Sequence, residues 1–238
     1  MKKAIVIGAT SGIGEGLAKL LAENDYVAGI TGRRSDLLVK IKNENPDKYI
    51  VKSFDVTVTD KIPQQLEELV NELGGLDLLV ICSGTGKKNK SLDFAFEKRT
   101  IDTNVLGFTA IADWAYNYFE RMQNGHLVVI SSIAGLRGNR HAPSYSASKS
   151  YQINYIEALQ QKAGNSKCPI FITDIRPGFV DTKMAQGDNL FWVSTVEIAA
   201  KQIYRAIQKK RKFAYITKRW RIIAVIMKLV PDWIYNKF

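Results

Sequence analysis

The chain has 238 residues, 46% hydrophobic and 24% charged, enough to bury a substantial core in one large α/β domain or two small ones. Its net charge of +11 is concentrated: from Lys201 onward eleven basic residues face a single acid, Asp232, so the first 200 residues are almost neutral. Two cysteines, Cys82 and Cys168, in or beside apolar runs argue for reduced thiols in the cytoplasm, while no apolar run approaches the ~20 residues of a spanning helix and the opening "KKAIVIG" is too short for export.

In chain order, the first apolar run, 3–8, opens into "GATSGIG" and a helix-period segment at 13–23. Gly8, Gly12 and Gly14 permit a tight turn in which backbone N–H groups around Thr10, Ser11 and Ile13, with the helix N-terminus, approach a pyrophosphate. The second run, 26–31, ends in "TGRR". A carboxylate at this strand end would select NAD, whereas Arg33 and Arg34 favour the 2′-phosphate of NADP. A helix at 35–44 precedes the third run, 49–55, which leads to Asp55 and Val56. A helix at 61–73 precedes the fourth, 76–82, which runs into "ICSG" and Gly84. A long helix at 92–122 carries Asn104, and the fifth run, 126–131, ends at Ser132. The helix at 144–163 holds "YSASK", the sixth run, 170–175, leads into "PGFVDT", and a helix at 195–210 precedes the seventh run, 213–217. Such β-branched runs, without strict polar alternation, are strands buried on both faces. Their alternation with helices predicts an α/β Rossmann-type domain, a doubly wound parallel sheet of about seven strands with helices on both faces. No linker divides it, so residues 1–217 form one domain and 218–238 a basic amphipathic extension.

A Tyr followed four residues later by Lys is expected by chance in a chain this rich in both, so Tyr145 and Lys149 count only for the company they keep. With the glycine turn, Asn104 and Ser132 in this order, they resemble the short-chain dehydrogenase/reductase family, from the glycine motif through "PGFVDT" at 177–182. The resemblance implies an NADP(H)-dependent oxidoreductase, with NAD the lesser alternative, that interconverts a carbonyl and an alcohol by hydride transfer. Tyr145 would be the general acid. A free phenol titrates near ~10, so Lys149, one helical turn on, is expected to lower it and to bind the nicotinamide ribose. Ser132 would hold the substrate oxygen, and Asn104 a water linking the lysine to solvent. Asp55 and Val56 resemble the adenine contact, and Gly84, Pro177, Gly178, Val180 and Thr182 further cofactor contacts. One departure is that Ile81 and Cys82 stand where the family usually has two asparagines. His126 and His141 fit no catalytic or metal spacing, and no metal is expected. The family also implies a homodimer or homotetramer through the helices near 92–122 and 144–163.

In this family the segment "KMAQGDNLFWVS" forms the substrate lid, and Met184, Leu190, Phe191 and Trp192 point to a lipophilic ketone or aldehyde rather than a small sugar. In the tail, Trp220, Ile223, Met227 and Val230 recur at helical spacing among Arg219, Arg221 and Lys228. That stripe fits peripheral contact with an anionic membrane, a fold back onto the pocket, or an oligomer interface. No motif indicates nucleic acid. Two rival functions stay open: a catalytically silent nucleotide-binding sensor or scaffold, and a ketoacyl reductase acting on a carrier-linked substrate.

Overall fold

The computed structural model describes residues 1–184 and 191–237. Among them, seven strands form one parallel sheet: β1 (Lys2–Ile7), β2 (Tyr26–Gly32), β3 (Tyr49–Ser53), β4 (Leu78–Ile81), β5 (Gly125–Ile130), β6 (Ile170–Pro177) and β7 (Phe213–Ile216), in the order 3-2-1-4-5-6-7. The helices are α1 (Gly12–Glu23), α2 (Ser35–Glu44), α3 (Ile62–Leu73), α4 (Phe94–Ile101), α5 (Phe108–Met122), α6 (Pro143–Gly164), α7 (Val196–Gln208), α8 (Trp220–Leu229) and α9 (Asp232–Tyr235). Strand order reverses at β1, where Ile5 lies opposite Gly29 of β2 on one side and Leu79 of β4 on the other. A crevice opens beyond the strand ends at such a switch point.

Successive strand residues point to opposite faces, and each face has its own core. Ile5, Ile7, Leu79 and Leu127 pack against α3, α5 and α6. Val6, Ile30, Val80 and Val128 pack against α1, α2 and α7. Local signals agree with these boundaries. α3 has Pro63 in its first turn and ends at Gly74, whose φ of +71° suits a residue without Cβ. Thr195 caps α7 by accepting from the Ile198 N–H at 3.3 Å.

The helix expected over 92–122 is interrupted. Between α4 and α5 the chain makes a π-turn, Asp102–Gly107. Gly107 lies so close to the Val56 carbonyl that a Cβ would crowd it, so the widened turn depends on a tertiary contact. π-turns recur at functional sites, and this one carries Asn104.

The tail folds back on the body. Arg137 Nη1 donates to the carbonyls of Met227 (3.2 Å) and Val230 (2.9 Å), Arg137 Nη2 pairs with Asp232 at 2.6 Å, and the Tyr235 hydroxyl donates to the Gly138 carbonyl at 2.7 Å. Trp220 is buried, and Ile223, Met227 and Val230 are half-buried. The stripe read from the sequence therefore turns inward. The opposite face of α8, with Ile222, Val225, Ile226 and Leu229, is the exposed one. No described helix is long and apolar enough to cross a membrane, and both cysteines are free.

His126 is structural, as its spacing suggested. Its Nε2 lies 2.8 Å from Thr173 Oγ1, and that hydroxyl donates to the Arg211 carbonyl, so the ring must donate from Nε2. Burial, helped by nearby Lys210, pushes the imidazole down to about 4 from its ordinary 6.5. The folded state then resists a proton that the unfolded chain accepts. Stability is therefore intact above pH 6.5 and lost progressively toward pH 4, by about 3 kcal/mol in all. Denaturant titrations at pH 7, 5.5 and 4.5 should show this loss, and His126→Gln should flatten it.

Candidate active site

At the end of β1 the backbone turns at Gly8 (φ +87°) and Gly12 (φ +60°), conformations that glycine adopts without strain. The Gly8 and Ala9 N–H groups donate to the Thr31 carbonyl at 3.1 and 2.8 Å, and Gly14 lies so near the Gly8 carbonyl that a side chain would overlap it. Ser11 precedes α1 without capping it through its side chain, which leaves first-turn N–H groups for an anion. A Cβ at Gly12 would meet Thr182 Cγ2 at 2.9 Å, so Thr182 lies over this turn. Thr31 Oγ1 and Ser83 Oγ, one on β2 and one just past β4, are buried without a partner among the described residues. A bare helix N-terminus, a glycine cradle that any side chain would fill and orphaned hydroxyls at the strand ends fit a dinucleotide.

The two arginines divide. Arg34 Nη2 donates to Thr10 Oγ1 (2.5 Å) and Ser11 Oγ (2.8 Å), which holds its guanidinium on the glycine turn. Arg33 instead faces Asp55 at 3.6 Å and stays exposed. Burial works against the charge of Asp55, but two hydrogen bonds from Thr57 and the charge of Arg33 outweigh it and hold the carboxyl below its ordinary value. Val56 is buried beside the π-turn.

The second cluster centres on α6. Asn104 is fully buried: its Oδ1 accepts from the Thr85 N–H at 2.8 Å, and its Nδ2 donates to the Thr85 carbonyl at 2.7 Å and to Ser148 Oγ at 3.0 Å. Ser148 in turn donates to the Tyr145 carbonyl at 2.8 Å. Backbone groups of Thr85, rather than asparagine amides at positions 81 and 82, thus hold Asn104. Lys149 Nζ, also buried, donates to the Ile130 carbonyl and to Gln152 Oε1, each at 2.9 Å, and lies 6.0 Å from the centre of the Tyr145 ring. Gly84 lies beside both: a Cβ there would come within ordinary contact of Asn104 Oδ1 (3.5 Å) and Lys149 Nζ (3.6 Å). Gly86 presses on the Tyr145 ring itself. Ser132 begins a 3-10 turn, Ile133–Leu136, and its Oγ accepts from the Ala134 N–H at 3.1 Å, which leaves its hydroxyl hydrogen to donate elsewhere.

The electrostatics differ from expectation at one residue. Burial raises the Tyr145 phenol above its ordinary value, and the facing Ser132 hydroxyl only partly offsets this. Lys149 does not offset this in the resting site: its ammonium, 6.0 Å from the ring centre, is bound to Ile130 and Gln152. Burial likewise brings Lys149 down to about 8, against the pull of Asp174 and Cys82. Burial raises Asp174, which accepts from Arg176 and Ser131. It also pushes the Cys82 thiol up to about 12, so that thiol is inert.

Pro177, the last residue of β6, and Val180 beyond it are buried. A side chain at Gly178 would overlap the Trp220 indole. Trp220 gathers Phe179, Phe191 and Trp192 at ring separations of 5.2, 5.1 and 6.1 Å. Met184, Phe191 and Trp192 are exposed, whereas Leu190 lies outside the described residues. A cleft of about 710 Å³ sits on the outer side of the segment after the 3-10 turn, between α6 and α9; Arg137, Ser146 and Tyr235 line it, and Tyr145 does not.

Sequence reasoning passed over several residues of the site. Glu97 of α4 accepts from Asn89 Nδ2 (2.5 Å) and from the Ser144 N–H (3.0 Å), and so places a carboxylate at the start of α6, which has no side-chain cap of its own. Ser148 and Gln152 were within reach: Tyr145, Ser148, Lys149 and Gln152 recur at i, i+3, i+4 and i+7, a polar stripe on the inward face of a helix.

Comparison with known proteins agrees with this architecture. A family model described as short chain dehydrogenase matches residues 2–190. An uncharacterised oxidoreductase of Mycobacterium tuberculosis is 28% identical, over all of this chain and 97% of the relative. One of Myxococcus xanthus is 33% identical over 86% of this chain and 84% of its own. Among solved structures, the closed form of serine dehydrogenase complexed with NADP+ superimposes with a TM-score of 0.81 at 22% identity, over 90% of this chain and 94% of that one.

Proposed function

Because the chain belongs to the short-chain dehydrogenase family of oxidoreductases, we propose that it reduces a lipophilic ketone or aldehyde with NADPH. The observation that carries this reading is the convergence, at one end of the sheet, of the glycine cradle under Arg34 with the buried Asn104 and Lys149 and the half-buried Tyr145. NADPH, when bound, supplies the hydride to the carbonyl carbon. Tyr145 donates its proton to the carbonyl oxygen, and burial, by raising the phenol, keeps that proton in place at neutral pH. Lys149, its ammonium 6.0 Å from the ring centre, is the charge available to the phenolate once the proton has left. Ser132 donates its free hydroxyl hydrogen to the oxygen as charge develops there. Gly8, Gly12, Gly14, Thr182, Pro177 and Gly178 would hold the dinucleotide. Arg34, already resting on two hydroxyls of the turn, is the better placed of the two arginines for a 2′-phosphate. The serine dehydrogenase of like fold is itself complexed with NADP+.

The aromatic cluster of Phe179, Phe191, Trp192 and Trp220, gathered over Gly178, would offer a substrate an apolar wall, which favours a lipophilic one. The surface of α8 points the same way. Ile222, Val225, Ile226 and Leu229 stand exposed by 49–75% on one face, with Lys218, Arg219, Arg221 and Lys228 beside them and Trp233 beyond. We assign this face to an anionic membrane surface. A second copy of α8 would bring two strongly basic tails together, whereas acidic headgroups complement the charge. Self-association into a dimer or tetramer would use the outer faces of α4 to α6, where Ile101, Leu106 and Tyr151 are exposed. The free thiols fit a reducing cytoplasm.

Three measurements test this. Against carbonyls graded from small sugars to long-chain ketones, NADPH consumption should rise with lipophilicity, and Tyr145→Phe should lower turnover on the order of a thousandfold while NADPH affinity changes little. Binding of NADPH without turnover of any carbonyl would favour the sensor instead. Joint replacement of Arg33 and Arg34 by Ala should weaken NADPH by about tenfold or more and leave NADH nearly unchanged; equal losses would remove the case for NADP. The full chain should sediment with phosphatidylglycerol vesicles but not with phosphatidylcholine ones, and Ile226→Glu with Leu229→Glu should abolish this. Unchanged sedimentation of that variant would rule out the α8 face.

A further inference from the structure

Between Lys149 and Asn104 lies one side chain that joins them. Gln152 Oε1 accepts from Lys149 Nζ, and Gln152 Nε2 donates to the Asn104 backbone carbonyl, both at 2.9 Å. All three residues are buried, Gln152 to 1% exposure, with no solvent to replace a lost partner. Its partners also fix which way the amide points. Turned over, it would set N–H groups against an ammonium and an oxygen against a carbonyl.

We propose that Gln152 is a positioning residue whose amide holds the Lys149 ammonium beside Tyr145 and spans the gap to Asn104 that a water molecule would otherwise bridge. The inference rests on the proposed reductase chemistry, in which Lys149 supports the Tyr145 phenolate. An amide bonded at both ends fixes geometry but does not pass a proton along as water does. Proton return to Tyr145, which is half-buried, then takes a route other than through Gln152. The charged and titratable groups facing Lys149 come from every side: Tyr145 one turn back on α6, Asp174 of β6 with its partner Arg176, and Cys82 just past β4. The neutral Ile130 carbonyl meets it from β5. Among these, Gln152 is the neutral acceptor on α6 itself that holds the charged form in place.

The test compares Gln152→Met and Gln152→Ala in the full-length protein, by fluorescence titration with NADPH across pH and by thermal unfolding. Met keeps the volume but removes both hydrogen bonds and leaves no room for water. Ala opens space in which water can bond to Lys149 and Asn104. A positioning role predicts that Met is the worse of the two, with NADPH affinity down about tenfold against less than about threefold for Ala. In Met the alkaline limb of binding, where Lys149 loses its proton, should also move to lower pH. A packing role predicts the reverse ranking and an unmoved limb, and that result would overturn the proposal. If Gln152→Met does not fold, Gln152→Glu carries the test: a carboxylate beside Lys149 must move the limb to higher pH, and a fixed limb would again overturn it. Because binding is the readout, a wild-type protein that binds NADPH with this pH limb but reduces no carbonyl would refute the reductase and leave the Gln152 result standing. A wild-type protein that does not bind NADPH would refute both.

Discussion

An ammonium buried at the end of a parallel sheet sets the terms for everything around it. Even after relaxation, removing such an ion from water costs several kcal/mol, so Lys149 can stay charged only if the fold surrounds it with acceptors and opposite charge. These come from separate parts of the chain: the Ile130 carbonyl where β5 ends, Gln152 on α6, and Asp174 on β6. Each must arrive within hydrogen-bonding or coulombic reach together, and that requirement explains why the neighbouring backbone is so closely specified. Gly86 keeps the segment after β4 thin enough to pass over the Tyr145 ring, and the π-turn delivers Asn104 to the same spot.

The helix that carries Tyr145 and Lys149 is held at more than one point. Glu97 meets its first turn, Asn104 reaches Ser148 within it, and Gly135 lies against the backbone of Lys149. Asn89 ties the preceding loop to both Glu97 and the His141 carbonyl. These contacts link α4, the π-turn and α6 into one unit, so a change far along α4 can reach the phenol through Glu97. The glycine-turn side relies on backbone shape at Gly8, Gly12 and Gly14, with Arg34 bonded to Thr10 and Ser11. The tail side relies on aromatic packing. One end of the sheet thus joins three kinds of restraint around a single crevice.

Most of the fold was legible because buried parallel strands declare themselves as β-branched runs, and because the glycine turn and the arginines after β2 sit at fixed offsets from those runs. Asn104, Ser132, Tyr145 and Lys149 were legible through their order, which resembles that of the short-chain dehydrogenase family. The break in the helix over 92–122 was not, because it arises from the approach of Gly107 to Val56 and not from any local helix breaker. The orientation of α8 was also hidden: a helix apolar on two faces offers no single direction, and only the match of Trp220 to the space over Gly178 decides which face turns inward. The raised phenol of Tyr145 could not be foreseen from spacing, which places Lys149 one turn away but says nothing of where its ammonium points.

The seating of Trp220 over Gly178 bears on how the site is made during synthesis. Trp220 is translated after the last strand of the sheet, so at about 5–20 residues per second the entire sheet leaves the ribosome before this side chain is available. Until then Gly178 and Phe179 lack their aromatic partner, and the apolar patch they form is open to any passing chain or chaperone. The glycine turn between β1 and α1, made much earlier, has no such delay. A nascent chain therefore completes one end of the crevice long before the other, and the apolar end is the one that stays unpaired until the tail is made.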